Sequence, residues 1–386
     1  MSADVVVAGV GLHPFGRFAE RDVTQLGVTA VQAALAEAGV TDRHGFQAAF
    51  CGTAYAGVAA GHKVLGALCL TGGPIVDVEA GCASGAAALM LAAGAIRAGQ
   101  YDTVLVFGME KMPKGIIRSS FFEPWREQAG LAATPAYFAL RAQRLLRDSG
   151  LTRDDLAAVV VKNRANGTRN PDAMFQKPVT ADEVLGSRLV CDPLHLFMLC
   201  APNEGAAAVV LRRADVAPPV TATTAPTVRL AAAVLRSHLP GSVLGEATPL
   251  SGRADDEPPA PSTLAADDAY AAAGLGPADV DLVECQDTDA ARELLAYEEL
   301  RLCGPGESGR LLHDGEVLPG GRRPVNLSGG LLSKGEPLGA SALGQVVELV
   351  RHLRGEAGPR QHEGARVGLA HTVGRGANAS VCLLTR

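Results

Sequence analysis

Apolar and polar positions alternate in blocks whose period switches between that of a buried strand and that of a helix. Asp4–Gly9 is a short β-branched run closed by glycine and predicts a buried strand; Asp22–Gly39 carries helical spacing, with Thr24 near its start and Gly39 at its end. Gly72–Ala80 reads as extended, Ala83–Arg97 as a helix of small and apolar residues, and Thr103–Gly108 as a second apolar strand. Strand and helix alternating in this way predict a parallel-type α/β architecture.

The same order returns further along. Thr227–Leu235 predicts a strand, Thr263–Gly274 a helix, Val280–Cys285 a strand, Pro324–Leu327 an extended piece, Gly339–Arg354 a helix, and Arg366–Ala370 and Ser380–Leu384 two closing strands. Two similar halves are expected, residues 1–213 and 226–386, joined by the Pro-, Ala- and Thr-rich connector Ala214–Thr227. A chain of 386 residues is long enough for such a fused pair. An insert at about 111–192 interrupts the first half; it holds a helix over Ala136–Ser149 and a polar, turn-rich segment, Asn163–Pro178. It is long enough to cover a site and shape a tunnel, or equally to decorate the surface. Gly241–Pro261 reads as a surface loop.

Composition narrows the function. Hydrophobic residues make up 47% and charged residues 20%, the balance of a packed globular protein. A net charge of -6 with scattered Lys and Arg gives no footprint for nucleic acid. The longest apolar runs, Ala86–Ile96 and Ala206–Leu211, fall short of the roughly 20 residues of a membrane span. Met1–Gly11 lacks the basic start and apolar core of a leader, so a cytoplasmic location is expected. The 8 cysteines, Cys51, Cys69, Cys82, Cys191, Cys200, Cys285, Cys303 and Cys382, form no CxxC pair; neither a zinc site nor a disulfide framework is expected, and most should behave as small buried hydrophobes.

Chemistry concentrates at Val78-Glu79-Ala80-Gly81-Cys82-Ala83-Ser84-Gly85, where an extended run passes through small residues into a helix. A cysteine there sits near unpaired N–H groups and the positive end of a helix dipole, which favour a thiolate, and small neighbours let backbone approach a developing oxyanion. A thioester-forming nucleophile needs that setting. A merely structural cysteine among Ala and Gly is the competing reading.

Those residues, followed by Gly108-Met109-Glu110-Lys111-Met112, by Ala201-Pro202-Asn203-Glu204-Gly205-Ala206-Ala207, by Glu293–Cys303, by Asn326–Gln345 and by the Gly-rich turn from His371 to Ala377, resemble the thiolase superfamily. The likeness is greatest to its sterol-carrier-protein-2 type, or lipid-transfer-protein, branch and spans nearly the whole chain. It implies a five-layered αβαβα fold of two halves related by a pseudo-twofold axis. It also implies coenzyme A thioesters as substrates with no tightly bound cofactor, a homodimer with Thr103–Gly108 or its neighbours at the interface, and in some relatives a small zinc-ribbon OB-fold partner.

Typical members assist the cysteine with two histidines. At those places this chain has Gln286-Asp287-Thr288-Asp289 and Gly335-Glu336-Pro337. Gln286 can donate a hydrogen bond to an enolate or thioester oxygen but cannot transfer a proton. Glu336, if buried, suits general acid or base work; alternatively it repels a nearby thiolate or merely faces solvent or Lys334. His371 is the best remaining imidazole, with a structural role the competing reading. Gly374 and Gly376 allow backbone to approach a ligand, and Asp287 is a candidate substrate contact, although it and Asp289 may equally cap the helix from Ala290; Asp289 is the favoured cap. Tyr297 and Cys303 read as packing. Three functions are compatible: Claisen or retro-Claisen chemistry through an acyl-Cys82, retro-aldol cleavage of a β-hydroxyacyl-CoA, or a non-catalytic acyl-CoA-binding partner subunit.

Overall fold

The computed structural model describes residues 4–115, 128, 134–216, 226–239, 258–374 and 378–386. The first half contains strand β1 (Val5–Gly16), helix α1 (Val23–Glu37), β2 (Ala48–Gly52), α2 (Ala60–Ala67), β3 (Ile75–Val78), α3 (Ser84–Arg97) and β4 (Thr103–Lys111). The insert follows with α4 (Thr134–Ser149), α5 (Arg153–Gly167), α6 (Ala181–Gly186) and the short pair β5 (Leu189–Cys191) and β6 (Leu194–His195). β7 (Glu204–Arg213) closes that half. The second half has β8 (Val228–Ser237), α7 (Pro261–Ala273), β9 (Leu282–Cys285), α8 (Ala290–Glu299), α9 (Ser308–His313), α10 (Gly330–Lys334), α11 (Leu338–Arg354), β10 (Val367–Gly374) and β11 (Asn378–Thr385).

The large sheet runs β3-β2-β4-β7-β1-β8-β11-β10-β9. Read outward from the β1–β8 junction, the two sides are alike: two antiparallel pairings, then parallel ones. The counterpart of edge strand β3 has shrunk to one parallel bridge, Val283 with Val325, which is what remains of the extended piece expected at Pro324–Leu327. Only Val6 and Val7 pair across to β8. The two sides are therefore free to fold over one another, and α3 and α11 lie between them: α3 packs on β2 and β4 and also on β8, while α11 packs on β10 and also on β7 and β4. With α1 against β1 and β7 outside, and α7 against β8 and β11 outside, the layers are αβαβα.

Each element has a local cause. α1 begins at a capping box in which Asp22, rather than Thr24, accepts from Gln25 N at 2.8 Å, and Gly39 beyond its end takes φ +69. α11 is buried on every side, as a helix held between two sheets must be. Leu89 and Ile96 of α3 meet Val346, Leu349 and Val350 of α11 in a core shared with Val104, Val209 and Leu230 of the strands. β4 is paired on both edges, so it cannot itself present an edge to a second chain; the free edge is its neighbour's neighbour, β3.

Among the larger elements the sequence reading omits β2, β7, α2 and α5. α5 buries Leu156, Ala157, Val159 and Val160 in the core, but its second half buries polar groups instead of continuing the stripe: Lys162 Nζ reaches Glu293 at 2.7 Å and the Val325 carbonyl at 2.8 Å, and Asn166 Nδ2 donates to the Asn326 carbonyl at 3.0 Å. Asn163–Gly167 is therefore helical, where the polar composition of Asn163–Pro178 suggests turns.

The central layer closes through glycine. A Cβ on Gly108 of β4 would lie 1.9 Å from the Gly339 carbonyl oxygen in the first turn of α11, and one on Gly339 would lie 2.4 Å from the Gly52 carbonyl oxygen. Gly108→Ala should lower stability by about 3 kcal/mol or prevent accumulation of folded protein, because backbone rather than a flexible side chain stands in the way. Urea unfolding against the parent chain measures this; a change within about 0.5 kcal/mol is the result that contradicts it.

Candidate active site

Gly81 takes φ +61 and turns the chain between β3 and α3. The turn is fixed by Gly81 N donating to Glu79 at 2.7 Å, Ala80 N to Ser84 Oγ at 2.9 Å and Ser84 Oγ to the Gly81 carbonyl at 2.6 Å. α3 starts after Ala83, where among the described residues no side chain caps its dipole end. Cys82, 6% exposed, stands at this point. A Cβ on Gly374 would meet the Ala80 carbonyl at 2.1 Å, so the end of β10 presses directly on the same turn.

Glu336 arrives from the second half. Asn203 Nδ2 donates to the Lys334 carbonyl at 2.6 Å, and Glu336 N donates to the Ala201 carbonyl at 2.9 Å. Between them Gly335 takes φ +82, and a Cβ there would strike Asn203 Nδ2 at 2.1 Å. The Ala201–Asn203 segment therefore holds the Glu336 loop by its backbone. Glu336 Oε1 accepts from Gln286 Nε2 at 2.6 Å, Glu336 Oε2 accepts from Cys200 Sγ at 3.4 Å, and Gln286 Oε1 accepts from Val373 N at 2.6 Å. Gln286 is thus locked at both ends. Burial, followed by the charge of Glu336, pushes the Cys200 thiol well above its usual value.

Cys82, Gln286, Glu336 and Gly374 line one cavity of about 1580 Å³, together with Cys200, Thr288 and Leu338. The insert supplies much of the wall, including Phe138, Arg164 and Phe175, so it covers a site rather than decorating the surface.

Two of the expected site residues are elsewhere. His371 is buried on β10 and faces outward to α7, with Nε2 2.9 Å from Ser262 Oγ and, among the described residues, no hydrogen-bond partner at Nδ1. His371 shares its face of β10 with Val373, while Thr372 on the other face turns Oγ1 to Gln345 at 2.8 Å; position along the strand separates the two, since Val373 is at the end of β10 that borders the cavity and His371 is two residues further back, against α7. Burial, then the charge of Arg292, holds the His371 imidazole well below its usual value and so neutral. Asp287 is also off the cavity. It accepts from Leu331 N at 2.6 Å, Leu332 N at 3.1 Å and Asn163 Nδ2 at 2.8 Å, anchoring α10 and through it the Glu336 loop. Burial, then the charge of Glu293, raises the Asp287 carboxyl. Gly376 lies outside the described residues. Asp289 is the cap of α8, accepting from Arg292 N at 3.0 Å, and Tyr297 packs inside with its hydroxyl on Glu293 at 2.5 Å.

Sequence reasoning missed Cys200 and Arg164. Cys200 directly precedes the Ala201–Ala207 motif, and that adjacency was its only signal.

The description "Thiolase, N-terminal domain" matches residues 5–215, and "Thiolase C-terminal domain-like" matches residues 250–386. The chain belongs to the thiolase family. It is 37% identical to acetyl-CoA acetyltransferase of Methanothermobacter thermautotrophicus over 99% of this chain and 100% of that protein. It is 35% identical to sterol carrier protein 2 of Bos taurus, covering 98% of this chain and 72% of that protein. Among solved structures, the Ltp2-ChsH2(DUF35) aldolase superposes with a TM-score of 0.86 at 25% identity, covering 99% of this chain and 97% of that chain. Human mitochondrial 3-ketoacyl-CoA thiolase superposes at 0.73 with 17% identity, covering 99% of each chain, a likeness of fold.

The contact between Cys200 and Glu336 has a measurable consequence. Glu336→Gln removes the charge that raises the Cys200 thiol, so Cys200 should be alkylated several-fold faster by iodoacetamide at pH 8.5. Peptide-resolved mass spectrometry reads this, with exposed Cys69 as the internal standard; an unchanged Cys200 rate contradicts the contact.

Proposed function

We propose that this protein is an acyl-CoA enzyme that makes or breaks a carbon–carbon bond beside a thioester, with the acyl group carried on Cys82. The observation that carries the reading is one cavity holding Cys82 at the uncapped start of α3 and, from the other half, a carboxylate fixed by Gln286. In the synthetic direction Cys82 Sγ attacks the thioester carbonyl carbon and the coenzyme A thiolate leaves. Glu336 then takes a proton from the α-carbon of a second acyl-CoA. The resulting carbanion attacks the acyl-Cys82 carbonyl; the new carbon–carbon bond forms as the S–C bond breaks and Cys82 is released. First-turn N–H groups of α3 are the donors that would receive the developing oxyanion. The acetyl-CoA acetyltransferase likeness over the full chain supports this reading.

The absence of imidazole at positions 286 and 336 and the likeness to an aldolase favour a second reading. There Glu336 takes the hydroxyl proton of a β-hydroxyacyl-CoA, the bond between the α- and β-carbons breaks, and its electrons stay with the thioester fragment until the α-carbon is protonated. No acyl-cysteine forms.

Intact-protein mass spectrometry after incubation with acetyl-CoA separates the two: an adduct on Cys82, lost in Cys82→Ala together with at least about 1000-fold of turnover, is the expected result. Turnover preserved in Cys82→Ala assigns the aldolase reading. Neither adduct nor turnover with any acyl-CoA leaves the non-catalytic reading. We further propose a homodimer joined along the free edge of β3, with residues 1–213 and 226–386 as its two structural halves, in the cytoplasm. The aldolase likeness, whose description includes a DUF35 component, also supports a zinc-ribbon OB-fold protein as partner. Light scattering tests the dimer.

A further inference from the structure

The cavity contains a cation that the proposed chemistry does not use. α5 is fixed on one side by Lys162, Asn163 and Asn166, which turns Arg164 the other way, into the cavity wall. The residue is 7% exposed. Its guanidinium carbon lies 4.0 Å from the centroid of the Phe175 ring and 5.7 Å from that of Phe197. Among the described residues it has no ion pair and no side-chain hydrogen bond, and Nε is buried without a partner. Burial alone pushes its pKa down to about 10, with no neighbouring charge opposing the shift.

The acids that share the cavity are already engaged. Glu336 holds Gln286 and Cys200, Glu79 holds Gly81 N, and Glu183 caps α6 at Thr180 N. Half-buried Arg17 and buried Arg292, which also line it, are engaged too: Arg17 with Glu204 and the Met112 carbonyl, and Arg292 with Glu299. Two aromatic faces offset part of the cost of burying a guanidinium but satisfy none of its N–H donors. A planar fork of unused donors inside a largely apolar cavity is the arrangement that fixes a bound oxyanion.

We propose that Arg164 forms an oxyanion-binding subsite of this cavity, and that its ligand is a carboxylate carried by the acyl group of the substrate. The other source of the same chemistry is the phosphates of coenzyme A. Those belong to a bulky nucleotide, and exposed Lys177 and Arg188 at the cavity edge suit them, whereas Arg164 is deep between two rings. The carboxylate assignment rests on the acyl-CoA reading; the anion subsite does not.

The experiment compares the parent chain with Arg164→Gln and Arg164→Lys in a Cys82→Ala background, so that binding is read without turnover. Calorimetry gives the Kd of glutaryl-CoA, of valeryl-CoA, which has the same chain length without the carboxylate, and of coenzyme A alone. Thermal shift with free glutarate and with inorganic pyrophosphate reads the subsite without any coenzyme A ester. Arg164→Gln should weaken glutaryl-CoA by at least about 30-fold, leave valeryl-CoA and coenzyme A within about threefold, and abolish stabilisation by glutarate, with Arg164→Lys retaining part of each effect. An equal loss for coenzyme A alone, with pyrophosphate rather than glutarate protecting, assigns Arg164 to the phosphates and overturns the acyl carboxylate. No loss for any probe in a folded Arg164→Gln protein overturns the subsite. Protection by glutarate that depends on Arg164, with no coenzyme A ester binding, keeps the subsite and sinks the acyl-CoA reading instead.

Discussion

The close approach of backbone to backbone at the centre of the molecule governs the rest. The first turn of α11 lies against β4 and the end of β2 because Gly108 and Gly339 have no side chains to hold them apart, and Gly52 lets the start of α3 approach β2 as closely. That close approach brings both helix starts to one point. α3 begins just after Cys82 and α11 just after Pro337. The site is therefore a product of the packing of the central layer: the contact that excludes a methyl group at Gly108 is the one that sets a nucleophile from one half opposite a carboxylate from the other.

Around that point, buried polar groups do the positioning. Asp287 accepts from two consecutive N–H groups at the start of α10, Asn203 holds the carbonyl at its end, and Glu336 follows. Glu110 performs a parallel service in the first half, accepting from Ala54 N at 2.8 Å and Tyr55 N at 3.0 Å and so fixing a loop that lines the cavity. Burial raises the Glu110 carboxyl, against the lowering effect of those N–H donors. Each such carboxylate would be costly without its donors, which ties loop geometry to completeness of the network: a donor cannot be removed without leaving a buried acceptor unsatisfied.

The sequence makes the architecture legible where period and sidedness coincide. α3, α11, β4 and β10 are apolar runs bounded by Gly or charge, and their order repeats, so the two halves follow from pattern alone. Cys82 is legible for a similar reason, since small residues on both sides of a strand-to-helix turn narrow what the turn can do. α5 loses its pattern in its second half: periodicity measures hydrophobicity, and after the core residues Leu156, Val159 and Val160 the side chains of Lys162, Asn163 and Asn166 bury hydrogen bonds instead. His371 shows the converse. A lone imidazole next to a Gly-rich turn resembles a site residue, but it lies against α7, two residues short of Val373 at the cavity, and a single residue carries no information about its face or its place along the strand until the register is known.

What the altered positions leave behind is a site with a different division of labour. An imidazole both accepts and donates protons near neutral pH, whereas Gln286 can only orient and Glu336 can only accept until it is itself protonated. The network reflects that difference: Gln286 is fixed by Val373 N on one side and spends a donor on Glu336 on the other, so the carboxylate is held in one orientation toward the cavity and shares its second oxygen with Cys200. Proton traffic in such a site must pass through a single carboxyl group, and the negative charge it carries lies in the same cavity as the sulfur that must become a nucleophile. The start of α3, which has no side-chain cap, is the feature that opposes that charge, because its positive dipole end acts on Cys82. Cys82 and Glu336 are thus compatible in one pocket only because they are presented by different halves, each with its own local field.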